Sequence, residues 1–162
     1  MFTSELNFIS NSEDQTRLMA TEMGKLSKAG YVIALIGDLG TGKTRWAQGF
    51  GYGLGVPTEM VINSPTFTFI NEYHGRLPFY HIDVYRLEQA IEAETLGLDD
   101  FLYGGGVCVI EWANHITAYL PSERLEIMFN YLETTRRAIT MRAYGDEYSR
   151  FLKECQIQHS VL

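Results

Sequence analysis

An α/β domain is the fold class this 162-residue chain predicts, with a mainly parallel central sheet between helices and antiparallel hairpins attached. Three observations predict it. Two short apolar runs, Tyr31-Val32-Ile33-Ala34-Leu35-Ile36 and Val107-Cys108-Val109-Ile110, lack the alternation of a half-exposed strand, so they read as parallel strands buried on both faces. A glycine-rich turn follows the first run, and residues 46, 47, 50 and 54 beyond it are apolar at helical spacing. Two pairs of strand-like runs, 66–73 with 77–84 and 125–132 with 138–143, are each joined by a short polar turn, the pattern of a hairpin.

The remaining elements follow in order. Leu6-Asn7-Phe8-Ile9 alternates and reads as a strand. Ser12-Glu13-Asp14-Gln15 is a capping box, and the helix it opens carries Met19, Met23 and Leu26 on one face and stops at Gly30. The helix after the glycine-rich turn contains Gly49, Gly51 and Gly53. Each costs about 1 kcal/mol relative to alanine, so packing must hold that helix or it ends early. Pro57 and residues 61–65 mark a loop. Glu88 to Leu96 reads as a helix closed by Gly97, Asp99 to Leu102 as a helical turn, and the chain from Asp146 as a last helix burying Tyr148, Phe151, Leu152 and Cys155.

Gly37-Asp38-Leu39-Gly40-Thr41-Gly42-Lys43-Thr44 fits the phosphate-loop pattern G-x-x-x-x-G-K-[ST] at every fixed position. The glycines let successive N–H groups turn into an anion-sized hollow. Lys43 supplies a cation for the β- and γ-phosphates and Thr44 a hydroxyl for Mg²⁺, while the helix start adds its positive dipole end. Strand, loop and helix stand in the order the motif needs, so the fold class sharpens to a three-layer, P-loop NTPase-like domain.

Such a loop needs an acidic group to order Mg²⁺ and the attacking water. Glu111 ends the second apolar run, where a carboxylate is costly to bury unless a cation faces it. The plain alternative is a strand-end glutamate reaching water. His81-Ile82-Asp83-Val84-Tyr85-Arg86 is the second candidate, because alternation puts His81, Asp83 and Tyr85 on one face. Asp83 suits the metal shell or the water. Arg86 either stabilises γ-phosphate charge or pairs with Asp83, and His81 reads as a hydrogen-bonded structural residue. Thr66, in Ser64-Pro65-Thr66-Phe67, is either a switch hydroxyl for Mg²⁺ or a backbone cap. Trp112 either fills core or packs beside the nucleotide. The N-K-x-D and D-x-x-G segments of a GTPase are missing.

Four blocks, G-D-L-G-T-G-K-T (37–44), S-P-T-F (64–67), Y-H-I-D-V-Y-R-L (80–87) and V-I-E-W (109–112), come in an order that resembles the TsaE (YjeE) family over nearly the whole chain. Leu120-Pro121 and the final hairpin agree. The resemblance implies a small bacterial P-loop ATPase needed for threonylcarbamoyladenosine (t6A) in tRNA, binding ATP with Mg²⁺ and hydrolysing it slowly alone. It implies action with the TsaB–TsaD pair, where TsaD transfers the threonylcarbamoyl group and ATP hydrolysis resets the complex. Carried over by position, Asp38, Leu39, Gly40, Thr41, Gly42 and Lys43 would surround phosphate. Thr44, Glu111 and Asp83 would serve the metal. Lys43, Glu111 and Asp83 would carry the chemistry. Thr66 would be the switch residue, and Trp112, Glu13 and Arg136 would lie beside the nucleotide.

Composition bounds the rest. At 46% hydrophobic and 20% charged residues the chain is globular, and its length suits a single domain over 1–162. No apolar run approaches the roughly 18 residues that span a bilayer, and the first residues lack a signal-peptide pattern, so the cytoplasm is expected. Cys108 and Cys155 form neither a disulfide framework nor a metal pattern. A net charge of −7 disfavours a strong grip on nucleic acid, so tRNA is expected to be held through partners. The alternative function is a small P-loop metabolite kinase. Such kinases close an arginine-rich lid, whereas residues 87–106 carry five acidic side chains, at 88, 92, 94, 99 and 100, and no arginine.

Overall fold

Seven strands form one sheet in the computed structural model, which describes residues 1–65 and 68–158. Along the chain they are β1 (Ser4–Ser10), β2 (Val32–Gly37), β3 (Ile70–His74), β4 (Pro78–Asp83), β5 (Val107–Glu111), β6 (Arg124–Tyr131) and β7 (Arg137–Tyr144). Their spatial order is β1-β7-β6-β2-β5-β4-β3. The helices are α1 (Glu13–Leu26), α2 (Lys43–Gly53), the single turns α3 (Glu92–Thr95) and α4 (Asp99–Leu102), and α5 (Asp146–Gln158). A kinked 3₁₀ segment covers Ala113–Tyr119.

The sheet is mixed rather than mainly parallel. β6, β2, β5 and β4 run parallel to one another, while β1–β7, β7–β6 and β4–β3 are antiparallel. Both expected hairpins are present, but they extend the central sheet at its two sides. Joining it pairs ladder edges that would otherwise be left open.

Period-two alternation divides the core. Ile33 and Leu35 of β2, Val107 and Val109 of β5, and Phe79 of β4 pack with α1, α2 and α5. Val32, Ala34, Cys108, Ile110 and Ile82 face the opposite way, against Leu87, Ala93, Leu98, Leu102 and Ile116. The residues expected inward from α5, Tyr148, Phe151, Leu152 and Cys155, are buried. Cys108 lies in the core, where burial pushes its thiol up to about 12, as expected of an inert apolar residue.

Other expectations change in detail. The helix expected over 88–96 is one turn, Glu92–Thr95. The buried residues of this stretch, Leu87, Ala93, Leu98 and Leu102, are spaced six, five and four apart, and they pack against the second face from a chain of tight turns. β3 begins at Ile70, and the strand expected from residue 66 includes Thr66 and Phe67, which lie outside the described residues. α1 ends at Leu26 with Ser27 as its cap, before Gly30. There Arg76, in the turn of the β3–β4 hairpin, donates to the carbonyls of Gly24, Lys25 and Ser27 at 2.9, 2.9 and 2.6 Å. A guanidinium at a helix C-terminus satisfies carbonyls that have no partner within the helix.

The glycines of α2 have a packing cause. A β-carbon at Gly53 would lie 2.0 Å from the carbonyl oxygen of Thr21, and one at Gly49 2.6 Å from that of Arg17. On α1, Gly24 faces Phe50 with equally little space, so the two helices approach backbone to backbone. The Thr21 hydroxyl crosses between them to the Gly49 carbonyl at 3.0 Å. Alanine at 53 gains about 1 kcal/mol of helix propensity but meets backbone that cannot yield locally. Gly53→Ala is therefore expected to lower the unfolding free energy by about 1–3 kcal/mol, read as a lower denaturant midpoint at unchanged slope.

Candidate nucleotide site

The carboxyl ends of β2, β5 and β4 meet the start of α2 at a cleft of about 440 Å³. Ligands collect at this end of parallel strands, where loops diverge and a helix presents its N-terminus. Gly40 and Gly42 adopt φ of 79° and 108°, in the left-handed region that glycine enters without a side-chain clash. Gly42 is also the N-cap of α2 and offers no side-chain acceptor to the first turn. α1 contrasts with it, because the Ser12 hydroxyl there accepts from the Gln15 amide at 3.0 Å. The missing cap leaves the amides of the first α2 turn to an anion in the cleft.

Lys43 is buried and curls back over the loop. Its Nζ donates to the carbonyls of Gly37 at 2.6 Å and Asp38 at 2.8 Å, and lies 4.1 Å from the centre of the Trp112 ring. Burial lowers its pKa, and the charges of Glu111, Asp83 and Asp38 partly offset that. Thr41 is buried with its hydroxyl on the Asp38 carbonyl, whereas Leu39 at the loop tip is exposed.

Glu111 is nearly fully buried on the face that Val107 and Val109 set. Its Oε1 accepts from Thr44 Oγ1 at 2.9 Å, and its Oε2 accepts from Ser64 Oγ at 3.0 Å. His81 Nε2 stands 2.5 Å from that same Oε2. The two hydroxyls of Thr44 and Ser64 are themselves 2.9 Å apart. Burial pushes the carboxyl up, but the bonds from His81, Thr44 and Ser64 outweigh it and hold Glu111 below the usual carboxylate range.

Asp83 pairs in register with Glu111 across the parallel ladder, so both project to the same face. Among the described residues its carboxylate accepts one hydrogen bond, from the Tyr85 amide at 2.9 Å. Burial raises its pKa, partly countered by that amide. Two neighbouring carboxylates are thus driven in opposite directions by their surroundings, a pattern that divides roles in sites of proton and metal chemistry.

Trp112 follows directly and takes φ of 61°, a costly conformation for a bulky side chain. The bend at the strand end holds its ring over Lys43 and 4.7 Å from the ring of Tyr85. Trp112 both lines the cleft and packs on the second core.

The other anticipated residues divide. Glu13 lines the cleft mouth with Arg45, 3.8 Å away. Arg136 bonds instead to Asn11 and Glu133. Its neighbour Arg137 reaches the loop, donating to the carbonyls of Thr41 at 3.2 Å and Gly40 at 3.1 Å. Arg86 stacks on Phe69 and makes no ion pair with Asp83 among the described residues. The switch expected at Thr66 lies outside the described residues. Ser64 and Arg137 were not anticipated in the site. Ser64 stood within the quoted S-P-T-F block, but only the fold brings its hydroxyl to Thr44. On the phosphate-loop reading of this cleft, Arg137→Ala is expected to weaken binding of a nucleoside triphosphate by up to about tenfold, the worth of a hydrogen bond that holds the loop, with a smaller effect from Arg136→Ala. Fluorescence titration with an ATP analogue reads both.

The donors suit a hard cation and a triphosphate. A threonine hydroxyl, a serine hydroxyl and two carboxylates are oxygen ligands of the kind Mg²⁺ takes beside substrate phosphates. With Thr44 giving its hydrogen to Glu111, the lone pairs of its oxygen remain for a metal.

The class that fold and cleft define is an α/β protein with a P-loop-like arrangement at the carboxyl ends of its central strands. The family model described as threonylcarbamoyl adenosine biosynthesis protein TsaE matches residues 10–139. The chain is 43% identical to the tRNA threonylcarbamoyladenosine biosynthesis protein TsaE of Bacillus subtilis, over 93% of each chain. It is 41% identical to the protein of the same name from Treponema pallidum, covering 82% of this chain and 97% of the relative. A crystal structure of Bacillus subtilis YdiB superposes with a TM-score of 0.83 at 37% identity, covering 98% and 97% of the two chains. The chain belongs to the TsaE family, whose members take part in tRNA threonylcarbamoyladenosine biosynthesis.

Proposed function

We propose that this chain is a P-loop NTPase-like, Mg²⁺-dependent ATPase that acts on the TsaB–TsaD pair in t6A biosynthesis and resets it between turnovers. The observation that carries the reading is the joining of the loop to the second strand: Thr44, the last residue of the loop motif, bonds to Glu111 at 2.9 Å. That contact puts a metal-ligating hydroxyl and a buried carboxylate together at an anion-binding helix start. Mg²⁺ would supply charge neutralisation on the phosphates, held by Thr44 and backed by Glu111. The Lys43 ammonium would leave the Gly37 and Asp38 carbonyls for phosphate oxygens. Glu111 has both oxygens engaged, so it would act on the metal through Thr44, whose hydroxyl it orients. Asp83, with a single partner, is the group free to orient water. Trp112 and the loop tip screen the cleft.

The kinase alternative loses support from the segment that would form its lid. Leu87, Ala93, Leu98 and Leu102 anchor residues 87–102 in the second core, so they do not stand over the cleft. On this reading the chain works in the cytoplasm with the tRNA-modifying machinery, tRNA being held through the partners. Among the described residues no helix is long and apolar enough to cross a membrane.

The resetting role is tested with TsaB–TsaD, tRNA and an activated threonylcarbamoyl donor, counting t6A formed per complex. One turnover without this chain and many with it and ATP is the expected result. Many turnovers without it would contradict the role.

A further inference from the structure

His81 makes a contact that phosphate binding does not require. It is fully buried on β4, its ring 6.1 Å from that of Phe79 and 12° from parallel. Nε2 meets Glu111 Oε2 at 2.5 Å, while Nδ1 has no partner among the described residues. A buried N–H without an acceptor costs more than a bare lone pair, so the ring proton belongs on Nε2, facing the carboxylate. A histidine kept only for folding ordinarily satisfies both nitrogens. This one faces the carboxylate behind Thr44 with its Nε2–H.

We propose that His81 is the positioning residue of Glu111 and, given the cleft's reading as a Mg²⁺·ATP site, that its Nε2–H sets the site's affinity for Mg²⁺. Three donors hold the carboxylate: His81 and Ser64 on Oε2 and Thr44 on Oε1. Ser64 lies in an irregular segment, and Thr44 is the group to be oriented. Of the three donors, only His81 stands on a strand of the sheet, beside the one that Glu111 ends. Its bond keeps Oε1 turned to Thr44, which draws the threonine hydrogen away from the cleft and leaves a lone pair facing it. Partners behind metal ligands act in this way, and removing one typically costs about 10–100-fold in metal affinity.

Two amides separate positioning from packing. Glutamine places its amide nitrogen near the position of Nε2, whereas asparagine reaches only that of Nδ1. The affinity of the full-length chain for methylanthraniloyl-ATP is measured in EDTA and across a Mg²⁺ titration, with thermal unfolding in EDTA as the check on folding. His81→Asn is expected to match the wild type in EDTA but to need about 10–100-fold more Mg²⁺ for the same tightening. His81→Gln is expected to stay within a few-fold of the wild type. If the asparagine variant does not fold, His81→Phe, which keeps the stacked ring, takes its place. Wild-type Mg²⁺ dependence in the variant lacking the donor, or equal loss in His81→Gln, overturns the proposal. A wild-type chain whose ATP affinity ignores Mg²⁺ overturns the proposed function itself.

Discussion

Lys43→Ala is expected to abolish tight binding of ATP, with a loss on the order of 100-fold or more. The ammonium is the buried cation of the cleft, and each charge-assisted bond it would make to phosphate is worth about 1.5–3 kcal/mol, or roughly tenfold to a hundredfold. The same group now bridges the Gly37 and Asp38 carbonyls, so its removal also loosens the loop. Lys43→Met, which keeps a long unbranched side chain in the loop but removes the charge, separates the two effects. Binding lost equally in both variants assigns the loss to charge. Unchanged affinity in Lys43→Met would remove the phosphate loop from the account.

Glu111→Gln is expected to separate binding from turnover in the other direction. ATP affinity without metal should stay within a few-fold, because the phosphate-facing amides and Lys43 are untouched. Turnover should fall by about 100-fold or more, as when a preorganised electrostatic group is lost. The amide offers one acceptor oxygen where the carboxylate offers two. One of the donors now served by Glu111, from Thr44, Ser64 or His81, would then face an N–H₂ group. A stability loss of about 1–3 kcal/mol is expected alongside. Paired kinetics of Glu111→Gln and Asp83→Asn assign the roles: wild-type turnover in the first and loss in the second would move the whole burden to Asp83.

The sequence made some of this legible because local chemistry carried it. The phosphate loop declares itself through fixed glycines and a lysine within eight residues, and β2 and β5 through unbroken apolar runs. Strand alternation put His81 and Asp83 on one face, and the structure keeps them there. What stayed hidden depends on distant packing. Nothing near Gly53 says that Thr21 will press against it, and nothing near Ser64 says that its hydroxyl will close a triangle with Thr44 and Glu111. Arg136 and Arg137 are adjacent and chemically alike. Only the pairing of β7 with β1 and β6 decides which side chain turns toward the loop. The mixed character of the sheet was hidden for the same reason, since hairpin strands look alike whether they stand apart or join.

The most direct test of the central claim is steady-state ATP hydrolysis by the purified chain with Mg²⁺, alone and with its TsaB–TsaD pair, using Lys43→Ala as the blank. Slow turnover that rises when the pair is added, and that the blank lacks, is the predicted result. Turnover equal to the blank in both conditions would contradict it.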